Sequence, residues 1–520
     1  MTEKNPPSIF NDVIGPVMRG PSSSHCAGAL RIGRLVRDLM DGEIQEVLVE
    51  FDPNGSLATT HKSQGSDIGL FAGLLGWEMT DERLPESEQY FQKAGIAVQI
   101  KISKFKAEHP NTYKLTLRNS NKKHHIIAIS TGGGSVEIIE LDGVHLSIAG
   151  DYYETLIFTE IDAISLSDYL AKNTKADEII INQNRTINFI EVKGQSFLSD
   201  QELVDITSQF QIVDVKKLRP VLPALSRKEI NVPFRNCQEM LAFNRSRNLS
   251  LWELAVEYES ARASLSKDNV FKRMKEIVEI IQMSIEQGMK GTLYKDRILG
   301  AQSPKFQTQM ESGKLLDGGI LNRMILYVSA LMEVKSSMGV IVAAPTAGSC
   351  GGLPGAVLAV AKDMELSIED TTKAILAAGI IGMFIASHAT FAAEEGGCQA
   401  ECGAGSGMAA AALVSLAGGT VQQAVDAASI ALQNILGMIC DPVANRVEVP
   451  CLGKNVMAAA NALAAANMAL AGYDAVITLD EVIETMNQVG PMLPKELRCT
   501  ALGGLSVTKT SKEIEKKLKE

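Results

Sequence analysis

Apolar and polar positions divide the 520-residue chain into three stretches with different periods. Up to residue 147, short runs alternate like strands, and a helical period covers only Cys26 to Met40. TGGGS (131–135) predicts a glycine turn, so residues 1–147 are expected to form an α/β domain. The strand-like runs are EIQEVLVEFDP (43–53), IAVQIKI (96–102), YKLTLRN (113–119), HHIIAIS (124–130) and the VEIIELDG stretch that follows the turn.

Residues 148–222 predict a second, smaller domain. Strand-like YETLIFTEI is followed by helical LSDYLAKNT, strands EIIINQN and TINFIEVKG, helical SDQELVDITSQF and strand QIVDVKKL. This β-α-β-β-α-β order is the split-βαβ, ferredoxin-like plan of many small regulatory modules. The proline-containing segment RPVLPALSRKEINVP (219–233) reads as the linker that follows.

From Phe234 onward the pattern is helical, as in NLSLWELAVEYESARASL, and beyond Lys335 it becomes rich in Ala and Gly. The run from Ala374 to Ala393 carries no Asp, Glu, Lys or Arg and approaches the length of a membrane span. Because it leads directly into Glu394-Glu395-Gly396-Gly397-Cys398, a buried core helix is the preferred interpretation. The prediction is an all-α domain over 223–520 in an α+β multidomain chain.

Composition limits the classes of function. The net charge of −11 argues against a nucleic-acid surface, which needs clustered Lys and Arg. The N-terminal sequence shows no apolar signal region, and the eight cysteines lack a disulfide-framework spacing. We therefore expect a cytoplasmic protein with no membrane partner.

Two glycine- and hydroxyl-rich segments precede expected helices. In GPSSSHCAG (20–28), three serines crowd hydroxyl and N–H groups at a helix start, which favours a carboxylate or phosphate. AAPTAGSCGGLPG (343–355) has the same design but matches neither the P-loop nor the dinucleotide fingerprint. An ordinary serine N-cap is the alternative for the first segment, and a solvated loop is the alternative for a third, TTHKSQGSD (59–67).

Cys398, Cys440 and Cys451 are the strongest candidates for chemistry. Each lies beside Gly, Pro or an expected helix end, and their separations suit an iron–sulfur cluster held between helices. Three ligands would leave one iron open as a Lewis acid. Zinc is the alternative, although structural zinc sites usually show close CxxC pairs. Cys402 could reach the same metal but is expected to pack, and the other four cysteines (Cys26, Cys237, Cys350, Cys499) are expected to be packing or surface thiols.

Taken together, these motifs resemble the iron–sulfur-dependent L-serine dehydratases (L-serine ammonia-lyases) over nearly the whole chain. GPSSSHCAG and ISTGGGSVEIIELDG resemble the family's β-type part. FRNCQEML, AAPTAGS, GGCQAE, CDPVA and VEVPC resemble its α-type part, in family order. The 148–222 block stands where some members carry an ACT regulatory domain. Both parts would be fused in one polypeptide.

The resemblance implies β-elimination of water and ammonia from L-serine, giving pyruvate, in an amino-acid-degrading enzyme. A fused chain of this kind is expected to form homodimers. A [4Fe–4S] cluster would be held by Cys398, Cys440 and Cys451, and pyridoxal phosphate would not be used. The expected catalytic residues are His25, Ser24 and His61. The expected substrate-binding residues are Ser22, Ser23, Ser24, Thr346, Gly348 and Ser349.

The chain also departs from the family pattern. Gln64 stands where the family commonly shows a His, and an amide cannot act as an acid or base. His388 and Glu394 replace small or amide groups ahead of Cys398, and the sequence ends in Glu520 where some members end in cysteine. The alternatives are therefore a related dehydratase acting on another β-hydroxy amino acid such as threonine, a non-catalytic amino-acid sensor, or a zinc-stabilised structural protein.

Overall fold

The computed structural model describes residues 5–160 and 163–519, without the side chain of Lys519. The first four residues, on which the expected absence of a leader partly rests, lie outside the described residues. So do Ile161, the end of one predicted strand, and Glu520. The described chain is mixed α+β and about half helical.

The first 150 residues build a six-stranded sheet with helices packed against it. Its order is β3-β2-β4-β5-β6-β7, and every neighbouring pair is antiparallel except β2 and β3. Burial alternates along β4, as expected of a strand with one face on the core. The elements are β1 (Val17–Met18), α1 (Gly28–Leu39), β2 (Glu46–Phe51), α2 (Leu57–Thr60), α3 (Ser66–Leu74), α4 (Ser87–Lys93), β3 (Ala97–Ile102), β4 (Thr112–Arg118), β5 (Lys123–Gly132), β6 (Ser135–Leu141) and β7 (Val144–Ile148).

Glycines allow α1 and α3 to touch backbone to backbone. A Cβ atom on Gly73 would lie 2.1 Å from the carbonyl oxygen of Leu30, and one on Gly69 would lie 2.1 Å from that of Cys26. A larger residue at either position would force the helices apart. This contact holds the serine-rich turn that precedes α1 against the 57–67 segment that precedes α3.

The second unit follows the predicted strand–helix–strand–strand–helix–strand order. Its antiparallel sheet has the order β11-β8-β10-β9. Leu156, Phe189 and Leu218 on one face pack into the core of the six-stranded sheet, while Ile157 and Ile190 face the helices. Its elements are β8 (Tyr153–Thr159), α5 (Ala163–Asn173), β9 (Glu178–Gln183), β10 (Asn188–Gly194), α6 (Asp200–Gln209) and β11 (Ile212–Leu218). The ACT-like assignment stays a prediction.

The rest of the described chain is helical except for one short strand. Ile341–Val342 pairs antiparallel with β1, near the other end of the sequence, in a two-stranded sheet. The region that was expected to be all-helical therefore contains one strand. The elements are α7 (Cys237–Asn244), α8 (Leu251–Ala263), α9 (Lys267–Lys290), α10 (Ser303–Glu311), α11 (Ile320–Ser336), β12 (Ile341–Val342), α12 (Gly352–Asp363), α13 (Ile368–His388), α14 (Ala393–Gly396), α15 (Ala404–Leu416), α16 (Val421–Gln433), α17 (Cys451–Leu470), α18 (Leu479–Met492) and α19 (Lys509–Lys519).

Helix α13 contributes many buried residues to the largest hydrophobic core. It is the one helix in the described ranges that is long and apolar enough to cross a membrane, but 78% of its most apolar window is buried inside the protein. Its Gly382 leaves room for Val13, since a Cβ atom there would lie 2.2 Å from Cγ1 of that valine. The N-terminal segment is therefore packed into the helical region.

Candidate active site at the junction of the two parts

The serine-rich turn is a π-helical turn, Ser23–Ala27, that runs into α1. The Ser22 hydroxyl accepts a hydrogen bond from the backbone N–H of His25 at 3.3 Å, so the predicted capping role is present. The Ser130 hydroxyl donates to the carbonyl oxygen of Ser24 at 2.7 Å. A Cβ atom on Gly28 would lie 2.5 Å from that hydroxyl, which explains the glycine. π-Helical turns are often found at functional sites.

His25 is fully buried at the centre of a hydroxyl cluster. Its Nδ1 lies 3.1 Å from the Ser22 hydroxyl and 3.3 Å from that of Ser24, and its Nε2 lies 2.8 Å from Oγ1 of Thr60. Burial lowers the pKa of His25, although the nearby Glu394 carboxylate raises it in part. His25 is therefore held neutral in the fold.

In the 57–67 segment, the side chains of His61 and Gln64 make different contacts. Nδ1 of His61 lies 2.8 Å from the Asp67 carboxylate, and its ring packs at a tilt against that of Phe51, with the ring centroids 5.0 Å apart. The Gln64 amide instead reaches the other part of the chain, donating to Oδ1 of Asn445 at 3.2 Å and to the Cys499 sulfur at 3.7 Å. The carbonyl of Thr59 accepts from the same asparagine at 2.8 Å.

The 343–351 loop meets the serine-rich turn directly. The backbone N–H of Ala347 donates to the Ser23 hydroxyl at 3.3 Å. Thr346 caps the following turn with Ser349 and donates from Oγ1 to Glu401 at 2.7 Å. Desolvation, together with the neighbouring Cys398, raises the pKa of Glu401 to about 8.

Close packing explains the glycine of this loop. A Cβ atom on Gly348 would lie 2.9 Å from Oε1 of Glu401. A larger residue there would require the Glu401 carboxylate to shift away from the loop.

Asn455, on α17, ties the loop to the cysteine-bearing helix. Its Oδ1 accepts from the backbone N–H groups of Gly351 at 3.2 Å and Gly352 at 2.8 Å, which lie at the start of α12. Its Nδ2 donates to the carbonyl oxygens of Gly348 and Cys451, each at 2.9 Å. This buried amide therefore fixes the 343–351 loop relative to helix α17.

Four cysteines form one small buried cluster. The Cys398 thiol is hydrogen-bonded to those of Cys402 and Cys440, and Cys440 is also bonded to Cys499. These bonds from Cys402 and Cys440 hold the pKa of Cys398 below its ordinary value. The side chain of Cys451 is buried at the start of α17, where desolvation raises its pKa and Cys398 acts on it electrostatically.

The structure thus places Cys398 and Cys440 in direct contact and Cys451 nearby. Within residues 5–160 and 163–519, no three His, Cys, Asp or Glu side chains are arranged around a single metal ion. A four-iron cluster is larger than one ion, so its ligands stand further apart.

The C-terminal segment (residues 497–511) covers the Cys440 loop. The N–H of Cys440 donates to the carbonyl of Leu497 at 2.8 Å, and the N–H of Cys499 donates to the carbonyl of Cys440 at 3.0 Å. Further along, the Ser511 hydroxyl accepts from the N–H of Ala444 at 2.8 Å. Cys499, expected to be a packing or surface thiol, is therefore a packing thiol placed beside a candidate ligand.

Sequence reasoning missed most contacts between the two halves. Glu394 was noted only as a departure, yet it accepts from the Ser24 hydroxyl at 3.0 Å across 370 positions. Glu401 and Asn455 gave no signal beyond lying near cysteines. His388 is exposed at the end of α13, where its Nε2 lies 3.2 Å from the carbonyl oxygen of Arg235, so it does not form a wall of the site.

Comparisons with known proteins match both halves. The family model described as "Serine dehydratase alpha chain" matches residues 246–506, and "Serine dehydratase beta chain" matches residues 11–104. "Probable L-serine dehydratase, alpha chain" of Bacillus subtilis (strain 168) is 38% identical, over 55% of this chain and 95% of its own length. "L-serine dehydratase 1" of Escherichia coli (strain K12) and "L-serine dehydratase" of Helicobacter pylori (strain J99 / ATCC 700824) are each 27% identical, over 94% of this chain and 96% of their own lengths.

Proposed function

Because the chain belongs to the serine dehydratase family, with the alpha-chain and beta-chain parts in one polypeptide, we propose that it converts L-serine to pyruvate and ammonia by iron–sulfur-assisted β-elimination. The chain is an enzyme of the carbon–nitrogen lyase class. The observation that carries the proposal is the meeting of the serine-rich turn with the cysteine-bearing segments. Ser24 contacts Glu394, four positions before Cys398.

The family is of the iron–sulfur type, and the donor set fits such a group. Buried thiols are the ligands that iron–sulfur clusters use, and Cys398, Cys440 and Cys451 would hold it. Their surroundings are polar enough to carry charge, since Lys454 donates to the Asp441 carboxylate at 3.0 Å beside the cysteine loop. When bound, the cluster supplies an iron that acts as a Lewis acid toward the leaving hydroxyl.

The chain's own residues would bind and orient the amino acid. The hydroxyls of Ser22, Ser23 and Ser24 converge from one side of the junction, and the loop bearing Thr346, Gly348 and Ser349 converges from the other. Hydroxyl and N–H donors at two helix starts favour a carboxylate. Fixing the substrate between rigid elements supplies the proximity that elimination needs.

His25 would take up the α-proton, with the hydroxyls of Ser22 and Ser24 at its Nδ1. Neutral His25 has hydroxyls on both ring nitrogens, so a proton can reach it through a serine. Loss of the α-proton and of the β-hydroxyl as water leaves aminoacrylate, which tautomerises and hydrolyses to pyruvate and ammonia. His61 is held by Asp67 and packs against Phe51, which fits a supporting role at the edge of the site.

A second substrate, threonine or another β-hydroxy amino acid, is favoured by Gln64. Its amide is tied to Asn445 and Cys499, so this position provides a neutral hydrogen-bond donor and no proton acceptor. A neutral amide at this position tolerates a different substituent on the β-carbon of the substrate more readily than a side chain that takes part in the reaction would. The homodimer, the cytoplasmic location and the regulatory role of the 148–222 block stay predictions.

The proposal is tested by anaerobic purification followed by a turnover screen. We expect brown protein containing iron and sulfide, and keto acid and ammonia released from L-serine or a close relative. Comparing the wild type with Gln64→His across β-hydroxy amino acids separates the two substrate assignments. Colourless protein with stoichiometric zinc, or no turnover of any β-hydroxy amino acid, would contradict the proposal.

A further inference from the structure

Glu394 is a buried carboxylate to which the proposed function assigns no part in substrate binding or proton transfer. It lies on the short helix α14, and its side chain is only 4% exposed. Its Oε1 accepts from the Ser24 hydroxyl at 3.0 Å and lies 3.6 Å from Nδ1 of His25. Burying a carboxylate is costly unless it is paired, so its placement against a neutral histidine calls for a reason.

The hydrogen bonds around His25 determine which ring nitrogen carries the proton. Oγ1 of Thr60 donates its only hydrogen to the carbonyl oxygen of Ser56 at 2.7 Å. At its 2.8 Å contact with His25 it must therefore accept, and Nε2 of the histidine is the donor. Nδ1 is then the unprotonated nitrogen, facing Ser22 and Ser24.

Proton uptake at Nδ1 would place a positive charge next to Glu394. The ring has no exposed surface, so the proton must arrive through one of the two serine hydroxyls that contact Nδ1. An imidazolium without an anion in this desolvated place would be strongly disfavoured. Glu394, at 3.6 Å, is within the range at which an opposite charge favours the charged form.

We propose that Glu394 is a positioning residue that orients the Ser24 hydroxyl and stabilises the His25 imidazolium formed during elimination. In this step the Ser22 hydroxyl, which lies 3.1 Å from Nδ1, gives its proton to Nδ1 and takes up the α-proton. Ser24, whose hydrogen is held by Glu394, accepts from the N–H that forms on the ring. The electron pair of the broken Cα–H bond forms the Cα–Cβ double bond as the β-hydroxyl leaves as hydroxide, and the proton held on His25 then converts that hydroxide to water and returns the ring to its neutral form. The inference rests on the proposed function.

Other charged groups face this pair and act on it less directly. On the 57–67 segment, His61 opposes a positive charge on His25, and the Asp67 carboxylate lies 2.8 Å from the His61 ring. Tyr113 on β4 and Glu401 on the neighbouring turn both interact with Glu394. Among the charges that act on the His25 ring, Glu394 is the anion.

The test compares Glu394→Gln with Glu395→Gln, a matched change at the adjacent carboxylate, which is 45% exposed and paired with His109. Removing the anion lowers the pKa of the imidazole. The acid limb of kcat/KM against pH should therefore move to lower pH by about 1–3 units in Glu394→Gln. The value of kcat should fall by about tenfold or more, because a less basic histidine is a weaker acceptor.

Glu394→Asp should recover part of both effects, and Glu395→Gln should change neither. A uniform loss of activity at all pH values, with an unmoved acid limb, would indicate a merely structural role and overturn the inference. If Glu394→Gln fails to fold, the Glu394→Asp profile decides, because its shorter side chain should still displace the limb.

A second measurement separates this inference from the proposed function. The pH at which His25 takes up a proton can be followed by NMR of histidine-labelled protein, with the signal assigned from the His25→Gln spectrum. We expect a lower value in Glu394→Gln than in the wild type. Absence of turnover on any amino acid would end the proposed function and with it the catalytic role, whereas equal NMR values would overturn the Glu394 coupling alone.

Discussion

Replacing Asn455 by Ala should loosen the junction between the cysteine-bearing helix and the 343–351 loop. Asn455 is fully buried, and its amide serves four backbone groups. Two of them, the N–H groups of Gly351 and Gly352, belong to the start of α12, where the helix itself offers no partner. Alanine would leave them and the carbonyl of Gly348 without this partner in a region closed to water.

The expected cost follows from these contacts. Loss of a helix cap costs about 0.5–2 kcal/mol, and an unsatisfied buried carbonyl costs about 1–3 kcal/mol. The carbonyl of Cys451 keeps its helical partner and adds little. We therefore expect the free energy of unfolding to fall by about 2–4 kcal/mol, measured by urea denaturation followed by circular dichroism.

A local readout should accompany the global one. Amide hydrogen exchange in peptides covering residues 345–355 should become faster, since the capped amides lose their acceptor. Asn467→Ala is the matched control, because this asparagine lies on the same helix but is exposed. A loss below about 1 kcal/mol with unchanged exchange at 345–355 would refute the reasoning.

Three further outcomes follow from the structure. Cys440→Ala should abolish keto-acid formation and iron binding, whereas Cys402→Ala should largely retain both, as measured by anaerobic assay and iron analysis. Burial raises the pKa of Glu259 to about 7, so the stability it contributes is full below about pH 4.5 and is lost as the pH rises through 7. The free energy of unfolding, measured in urea from pH 4.5 to 8, should fall by about 3 kcal/mol more in the wild type than in Glu259→Gln. Ser511→Ala removes the acceptor for the N–H of Ala444 and should cost about 1–3 kcal/mol in the same unfolding measurement.

Each of these outcomes has a control or a contradicting result. Iron retained by Cys440→Ala but lost by Cys402→Ala would reassign the ligands. If the free energy of unfolding depends on pH equally in the wild type and in Glu259→Gln, Glu259 does not contribute to that dependence. Thr510→Ala, at an exposed neighbour, should leave stability unchanged and so isolates the effect of Ser511.

Individual helices and strands were predictable because each one has its own period of apolar and polar residues. The alternation in YKLTLRN gave β4, and the strand–helix order of 148–222 matches the observed elements. Strand β12 was missed, since two residues are too few to show a period. Strand β7 was missed because VHLSI follows β6 directly and shows only a short alternation.

The contacts of the site could not be predicted in the same way. Ser24 and Glu394 meet because the N-terminal segment packs into the helical core at Gly382, and no spacing encodes that meeting. Cys499 reached the cysteine cluster through backbone pairing with Cys440, so its distance along the chain gave no hint. The motifs indicated which residues were special, and tertiary packing determined their neighbours.

The pairing of Cys440 with Leu497 and Cys499 also sets an order of events during synthesis. All three candidate ligands are synthesised before residues 497–511, which pair with the Cys440 loop in the finished chain. The cysteine loop therefore spends an interval uncovered while the remaining chain is translated. A cofactor delivered in that interval meets accessible thiols, whereas one offered to the finished chain must first displace the C-terminal segment.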